Sequence, residues 1–523
     1  MVEDLAGSGP STPTEWDVIV IGSGMGGMAA ASALAQVGNR VLLLEQHQSL
    51  GGLTHSFSRE GFTWDVGVHY LSSMSPDDLI RQRLDALCDT PMEFVSLGAV
   101  YDYLHIRSSE PLALSRPYEA QERDLKDRFP DEAEAIEAWT VALREGRAAL
   151  YKVFPSRSMP ESAGDMLDET GRAAVEKYCL PTTQDFVDTL TDNPELAAAM
   201  TAQWGDHGGR PSKASFAMHA MIAGAYLISG SWYPAGGAAA YAEHMIPAIT
   251  KNGGQARAGV RVEKVLIEDG KAVGVRTSGG EEIRGGAVVS DIGARETLDG
   301  LLPDDAGHEE WIAEIRALPS SIAHFNMFLG FEGDIQAAGA TKANHWLFPA
   351  GKTDVIWTNA PDEAPPQMTV GFGSLKNPSH DPGPRQKHTG QLIVWADWST
   401  VARWAGKPPG QRGGDYADFK QRAADTLMAM FEEHFPDLAK LVVYKELATP
   451  LSTVAFTGHR QGAFYGLDVT PGRVMCGGLR ATTPIPGLFL TGQDVCSPGI
   501  PGALMGGLMS AASVDPRAFE FLK

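Results

Sequence analysis

The first clear hydrophobic pattern in the chain is an apolar run, an Ala-rich segment and a second apolar run, in that order. Residues 17–21 read DVIVI, a β-branched stretch with the length of a buried strand. Residues from about 26 to 37 are Ala-rich and stop at a Gly-Asn pair, which predicts a helix. Residues 40–44 read RVLLL. This part of the chain therefore predicts a strand, a helix and a second strand.

Apolar and polar residues alternate further along, between about 261 and 293. Asp269-Gly270 and Gly279-Gly280 stand at the positions of hairpin turns, which predicts a small antiparallel sheet. The last run of this segment, 287–290, is predicted to be a buried strand that rejoins the parallel sheet. Residues 488–490 predict one more strand, whose carboxyl end faces a ligand.

The remaining segments have mixed patterns. Residues from about 76 to 206 have a helical pattern with charges on exposed faces, and residues 302–456 mix strands and helices. The Pro-rich and Gly-rich tract 362–390 is predicted to be a long loop. Residues 214–229 form an apolar run that is too short to cross a bilayer, so it is either a core helix or the wall of a pocket.

Length, charge and cysteine usage narrow the class of protein. A chain of 523 residues is too long for one simple core, so we expect two packed domains, and a net charge of −22 argues against nucleic acid as a partner. The four cysteines are scattered, which predicts no metal site and suits a reducing, cytoplasmic compartment. Residues 1–14 are expected to be a disordered leader, and no apolar run is long enough to span a membrane.

A glycine fingerprint follows the first predicted strand. Gly22, Gly24 and Gly27 have the Gly-x-Gly-x-x-Gly spacing. A side chain at the first would clash in the turn, one at the second would block a diphosphate, and one at the third would push the helix off the strand. The helix N-terminus attracts an anion, and Met25 and Gly26 are expected to contact it. The spacing predicts a dinucleotide site, and the alternative is a purely structural turn.

Features after the second strand indicate which dinucleotide is bound. Glu45 ends that strand, where its carboxylate can accept hydrogen bonds from both ribose hydroxyls, and Gln46 follows it. A second glycine pair, Gly51-Gly52, comes soon after the acid and is followed by Leu53. Such a pair is typical of FAD proteins of the glutathione-reductase type. We therefore expect FAD as the cofactor.

A second glycine-rich segment, 491–503, is expected to close the cofactor site. Asp494 follows a predicted strand and can hydrogen-bond the ribityl hydroxyls or the water shell of the diphosphate. The small residues after it open a helix whose N-terminus can stabilise negative charge on reduced flavin, and the alternative is a glycine-rich core helix. The expected cofactor contacts outside the first fingerprint are His69, Val262, Asp291, Gly492, Asp494, Gly499, Ile500, Gly502 and Ala503.

Three residues are candidates for proton transfer. Tyr70 and His69 follow the turn at Gly67, where the chain returns towards the flavin, and either can orient a substrate or deliver a proton. The alternative for both is a packed, hydrogen-bonded pair. His219 lies inside the apolar run 214–229 and is either catalytic or a satisfied core residue.

With these motifs together, the chain resembles the FAD-dependent phytoene desaturase, carotenoid isomerase and retinol saturase superfamily of amine-oxidase-like flavoproteins, and its retinol saturase branch most closely. The segments 22–27, 65–70, 232–237 and 491–494 carry the resemblance, with Glu45 and Gly51-Gly52. It implies an α/β fold in which a glutathione-reductase-type, Rossmann-like FAD-binding domain is interleaved with an α+β substrate domain. The expected boundaries are 15–75, 232–310 and 456–523 for the former, and 76–231 and 311–455 for the latter.

The resemblance also implies a function. It implies an FAD-dependent oxidoreductase that acts on CH-CH groups of an apolar polyene, isoprenoid or lipid, with a hydride moving to or from flavin N5. An unidentified electron donor or acceptor and contact with a membrane surface are further expectations. Leu53 stands where desaturases and amine oxidases usually have an arginine, which favours a saturase or an isomerase. The alternatives are a redox-neutral double-bond isomerase and a non-enzymatic prenyl-lipid carrier of the same fold.

Overall fold

The structure is a computed structural model that describes residues 16–107, 110–159 and 167–523. The predicted leader, 1–14, lies outside the described residues. The strands are β1 (Trp16–Ile21), β2 (Val41–Leu44), β3 (Ser56–Arg59), β4 (Phe62–Asp65), β5 (Phe94–Ser96), β6 (Val100–Ile106), β7 (Leu112–Ser115), β8 (Trp232–Pro234), β9 (Gln255–Arg257), β10 (Val262–Glu268), β11 (Lys271–Thr277), β12 (Glu282–Ser290), β13 (Ala323–Glu332), β14 (Asn344–Phe348), β15 (Met368–Gly371), β16 (Lys387–Ala396), β17 (Val442–Ala448) and β18 (Leu488–Leu490). The helices are α1 (Met25–Gln36), α2 (Leu79–Ala86), α3 (Tyr118–Arg128), α4 (Ala133–Val153), α5 (Glu169–Tyr178), α6 (Thr183–Val187), α7 (Pro194–Thr201), α8 (Phe216–Ser229), α9 (Ala240–Lys251), α10 (Ala294–Gly300), α11 (Glu309–Ala317), α12 (Gly373–Lys376), α13 (Gly414–His434), α14 (Pro436–Ala439), α15 (Pro450–Thr457), α16 (Pro471–Met475) and α17 (Gly499–Val514).

The first sheet contains the predicted strand, helix and strand. Its order is β10-β11-β12-β1-β2-β9, and β18 pairs in parallel with the carboxyl half of β12. β1 lies between β12 and β2 and is parallel to both. The alternation of β1 side chains explains its burial on both faces: Val18 and Val20 pack towards α1, whereas Ile19 and Ile21 pack towards β10 and β11. Residues 287–290 therefore rejoin the parallel sheet beside β1, and residues 488–490 form a further strand beside β12, as predicted.

The second sheet has the order β17-β13-β16-β15-β14-β6-β7 and is antiparallel except where β14 pairs with β6. β13 again alternates. Phe325, Met327 and Leu329 pack against α13 in a second core. His324 and Asn326 point from the opposite face of the same strand into a large cavity. This sheet draws its strands from 100–115 and 323–448, while the domain boundaries themselves remain a prediction.

Two expectations about local structure are wrong. The segment 76–206, which was expected to be helical, contains the consecutive strands β5, β6 and β7. These strands are short, and even β6 alternates over only the seven residues VYDYLHI, so they give little signal within a mostly helical segment. The tract 362–390 is not a loop throughout, since it holds β15, α12 and the first residues of β16. Within the described part of the chain, no helix is both long and apolar enough to cross a membrane.

Candidate cofactor and active site

One large cavity of about 1770 Å³ runs from the glycine turn between β1 and α1, past β13, to the helices α2, α4 and α8. Residues of both sheets line it, and the N-terminus of α17 forms part of its wall. The carboxyl ends of β1, β2 and β12 open onto it, which is the position where ligands bind in open α/β sheets.

The glycine turn fits a diphosphate because its backbone leaves no room for side chains. Gly22 has φ 93°, a conformation that favours glycine. A Cβ at Gly27 would lie 2.1 Å from the carbonyl oxygen of Gly22, and one at Gly26 would lie 2.4 Å from Cα of Gly492. These contacts keep α1 close to β1 and to the segment before α17. The N-terminus of α1 therefore faces the cavity with exposed backbone, as a dinucleotide requires.

Glu45 is held at the end of β2 by the turn itself. Its Oε2 accepts hydrogen bonds from the backbone N–H of Ser23 at 2.9 Å and from the Ser23 hydroxyl at 2.7 Å. Its Oε1 accepts from the backbone N–H of His47 at 2.8 Å. Ser23 Oγ in turn accepts from the Gly51 N–H at 2.9 Å, which ties the second glycine pair to the first. The carboxylate is thus fixed on the cavity wall, where a ribose would be recognised.

Asp291 stands directly over the glycine turn. A Cβ at Gly24 would lie 2.5 Å from its Oδ2, and one at Gly26 would lie 2.5 Å from its Oδ1, so the carboxyl group fills the space between the glycines. Burial, together with the nearby carboxylates of Glu45 and Asp494, raises the pKa of Asp291 to about 8. The group is therefore mostly neutral at pH 7. A neutral carboxyl can lie beside a diphosphate without charge repulsion.

The C-terminal half of the site rests on two buried arginines that the sequence did not single out. Asp494 accepts hydrogen bonds from the backbone N–H groups of Ala294 at 2.8 Å and Leu467 at 2.9 Å, so it joins the start of α10 to the segment before α16. Arg473 donates to the carbonyl oxygens of Leu467 and Gln493. Arg157 donates to the carbonyl oxygen of Val495 at 3.2 Å and to that of Arg473 at 2.7 Å.

Most of the predicted cofactor contacts line the cavity. Those that do are Gly22, Gly24, Met25, Gly26, Glu45, Gln46, Gly52, Leu53, His69, Val262, Asp291, Asp494, Gly499, Ile500, Gly502 and Ala503. Gly27, Gly51 and Gly492 lie behind the wall: Gly27 and Gly492 pack against neighbouring backbone, and Gly51 donates to Ser23. Direct contact between these residues and FAD remains a prediction.

His219, one of the three catalytic candidates, has partners within the protein at both ring nitrogens. The side chain is buried in α8, and its Nδ1 lies 3.1 Å from Nε2 of His207 while its Nε2 lies 3.0 Å from the carbonyl oxygen of Met200. Both ring nitrogens are therefore occupied within the protein, and His219 does not line the cavity. Burial lowers the pKa of His219 to about 4, which keeps the ring neutral. These contacts favour the satisfied core residue over a catalytic role, and the assignment of catalytic residues stays a prediction.

Tyr70 and His69 both line the cavity, and Tyr70 belongs to a buried charged cluster. Its hydroxyl oxygen lies 2.8 Å from Oδ2 of Asp102 and 3.0 Å from Oδ2 of Asp206. Lys376 of α12 stands beside it and donates to the carbonyl oxygen of His69 at 2.8 Å. Burial and the nearby Lys376 lower the pKa of His69 to about 3, so its ring is neutral. Asp102, Asp206 and Lys376 come from segments in which no sequence motif predicts a catalytic or binding site.

Comparisons with known proteins agree with this geometry. The model of the flavin containing amine oxidoreductase family matches residues 25–515. The chain belongs to this family. It is an FAD-dependent oxidoreductase, as the glycine turn and the fixed carboxylate of Glu45 indicate. All-trans-retinol 13,14-reductase of Danio rerio is 30% identical over 97% of this chain and 87% of its own length.

The chain is also similar in sequence to a carotenoid isomerase and in fold to an amine oxidase. The chloroplastic prolycopene isomerase of Daucus carota is 26% identical over 93% of this chain and 77% of its own length. Among solved structures, cyclohexylamine oxidase from Brevibacterium oxydans IH-35A superimposes with a TM-score of 0.64, at 16% identity, over 97% of this chain and all of its own. The shared fold is that of a Rossmann-like FAD-binding domain with a substrate domain.

Proposed function

We propose that this flavoprotein reduces a carbon–carbon double bond of an apolar polyene. The observation that carries the proposal is one continuous cavity that joins the cofactor cradle to an apolar channel. The channel wall includes Met221 and Ile222 of α8 and Met505 and Met509 of α17, flexible side chains that suit a long hydrocarbon. The similarity to all-trans-retinol 13,14-reductases supports the same substrate class and direction.

The chain's own residues would hold the substrate and supply the proton. Bound reduced FAD supplies a hydride, and the neighbouring carbon then needs a proton. His69 is a poor donor because its neutral ring has a pKa of about 3. Tyr70 carries an O–H on the cavity wall and is the donor that we propose. The chain has one glycine fingerprint, so we propose that electrons come from a separate reductant.

We further propose that the cavity mouth meets a membrane surface. Leu79 of α2, Tyr151 of α4 and Phe519 after α17 line the cavity and are 57%, 50% and 53% exposed. Exposed apolar side chains around the opening of an apolar channel favour uptake of a substrate from lipid. Arg83 and Arg147 also line the cavity near these side chains.

Vesicle binding tests the membrane contact. A double variant, Leu79→Asp with Phe519→Asp, is expected to lose co-sedimentation with phosphatidylcholine vesicles because it puts charge on the rim. Val443→Asp is the matched control, since Val443 is 56% exposed on β17 and does not line the cavity. Equal sedimentation of all three proteins would contradict a docking role for the rim.

Product mass tests the reaction. The reduced holoprotein is incubated without oxygen with a panel of retinoids, carotenoids and unsaturated lipids, and the products are analysed by mass. A gain of two hydrogens is expected. Unchanged mass with a new double-bond geometry would favour the isomerase, loss of two hydrogens would reverse the direction, and a purified protein that takes up no flavin would favour a lipid carrier.

A further inference from the structure

Two buried carboxyl groups meet at one hydroxyl on the cavity wall. Asp102 lies on β6 and is 0% exposed, whereas Asp206 precedes α8 and lines the cavity. Their Oδ2 atoms lie 2.8 and 3.0 Å from the hydroxyl oxygen of Tyr70. Gln203 also donates to Asp102, at 3.3 Å. The second sheet and the segment before α8 thus bring together two acids that are 104 residues apart in the sequence (206 minus 102).

The two contacts at the Tyr70 hydroxyl require more hydrogens than the hydroxyl itself carries. A tyrosine hydroxyl has one hydrogen to donate, and an ionised carboxylate has none. Two short oxygen–oxygen contacts at one hydroxyl therefore need a second hydrogen, which one of the two carboxyl groups must carry. Two adjacent buried carboxylates would also repel each other. The geometry thus indicates a pair that holds one shared proton.

Lys376 sets the charge of this pair. It is 2% exposed on α12, and its Nζ donates to His69 O and to Asn344 Oδ1. Burial lowers the pKa of Lys376 to about 7, although the charges of Asp102 and Asp206 act in the opposite direction. In its ammonium form, Lys376 and one remaining carboxylate leave the buried cluster neutral, as a low-dielectric interior favours. Three more titratable groups interact electrostatically with the acid pair: Tyr101 of β6, Tyr226 of α8 and Tyr465. Those that interact with Lys376 include Asp65, His69 and His345.

We propose that Asp102 and Asp206 store one proton and pass it through the Tyr70 hydroxyl to the substrate carbon. The inference rests on the proposed function. In the balanced step one C=C bond becomes a C–C bond with two new C–H bonds. Reduced FAD, when bound, would supply the hydride that carries both electrons, and the proton would come from the Tyr70 O–H bond, which breaks. The shared carboxyl proton restores the Tyr70 hydroxyl, and solvent refills the pair. Tyr70 is the catalytic residue, and Asp102, Asp206 and Lys376 are positioning residues.

Infrared spectroscopy of the protein without FAD tests the store independently of any reaction. Asp206→Asn imitates the protonated acid and keeps a donor beside Tyr70. The wild-type minus D206N difference spectrum is expected to show a carboxylic acid band that disappears on titration above pH 7, because burial raises the pKa of Asp206 to about 7. A difference spectrum without any acid band overturns the proposal, whether or not the protein reduces a polyene.

Single-turnover reduction tests the transfer. Tyr70→Phe is expected to slow product formation about 100-fold or more, as loss of a general acid does. Tyr233→Phe is the matched control, since Tyr233 is also buried and donates to a carboxylate, that of Asp65, outside the main cavity. Because an ionised Asp206 has no proton with which to restore the Tyr70 hydroxyl, the wild-type rate should fall as pH rises through about 7, and D206N should lose this inflection. Wild-type rates in Y70F, or an unchanged inflection in D206N, overturn the relay.

Discussion

The pH dependence of FAD affinity tests the expected position of the diphosphate beside Asp291. Its carboxyl group lies among Gly24, Gly26 and Gly492, where the diphosphate is expected, and its pKa is raised to about 8 by burial and by Glu45 and Asp494. A bound diphosphate would disfavour the ionised carboxylate still further. FAD therefore binds best to the form in which Asp291 is protonated, and its affinity should fall as pH rises above about 8.

The size of this effect follows from linkage. At about pH 9.5 the free protein must take up a proton at Asp291 on binding, and the pH lies about 1.5 units above the pKa of about 8. The dissociation constant should then be about 30-fold higher than at pH 7, equivalent to about 2 kcal/mol. Asp291→Asn keeps the shape of the side chain without its titration. This variant should bind FAD at pH 7 within about twofold of wild type and lose most of the pH dependence.

The assay is a titration of the protein without cofactor, with flavin fluorescence as the signal, between pH 6 and 9.5. The D291N variant is the control for every other group that titrates in this range. Equal dissociation constants for wild type at both ends of the range would refute the placement of the diphosphate beside Asp291. An identical slope in wild type and D291N would assign the pH dependence to another residue.

Two other predictions concern the framework of the site. Arg473→Met should lower the midpoint of urea unfolding far more than the control Arg276→Met. Buried Arg473 donates to the carbonyl groups of Leu467 and Gln493, whereas Arg276 is an exposed partner of Glu282. Equal midpoints for the two variants would contradict this prediction. The second prediction concerns His219, whose pKa burial lowers to about 4 in the folded chain. As pH falls below about 6.5, the unfolded chain therefore takes up the proton before the folded chain does. The folded state should lose about 3 kcal/mol of stability by pH 4. His219→Gln should therefore show a shallower loss of unfolding free energy over that window, and an unchanged slope would contradict the assignment.

The cofactor half of the molecule could be predicted from the sequence because its constraints are local. Gly22, Gly24 and Gly27 stand within six residues of one another, and the strands on either side are continuous apolar runs. Spacing along the chain is then nearly equivalent to spacing in the fold. The C-terminal strand and helix were predictable for the same reason, since small residues at 499–503 must let α17 approach the cavity.

The acid pair could not be predicted in this way. Asp102 and Asp206 meet Tyr70 only because β6 joins the second sheet, and a pairing of distant strands leaves no periodic signal at a single aspartate. Lys376 lies in a tract whose prolines and glycines predict a loop, yet it is fully buried. Conversely, His219 is a catalytic candidate from the sequence because it is a histidine in an apolar helix. Its partners, His207 and the carbonyl oxygen of Met200, lie in the preceding segment, and the helix pattern does not indicate them.

The most direct measurement of the central claim is anaerobic stopped-flow mixing of the reduced holoprotein with an apolar polyene, with flavin absorbance as the signal. If the cavity brings both molecules together as proposed, the oxidised flavin spectrum should return in a single turnover, at a rate that depends on polyene concentration. A reduced flavin spectrum that persists with every polyene in the panel, in protein that has bound FAD, would contradict the account.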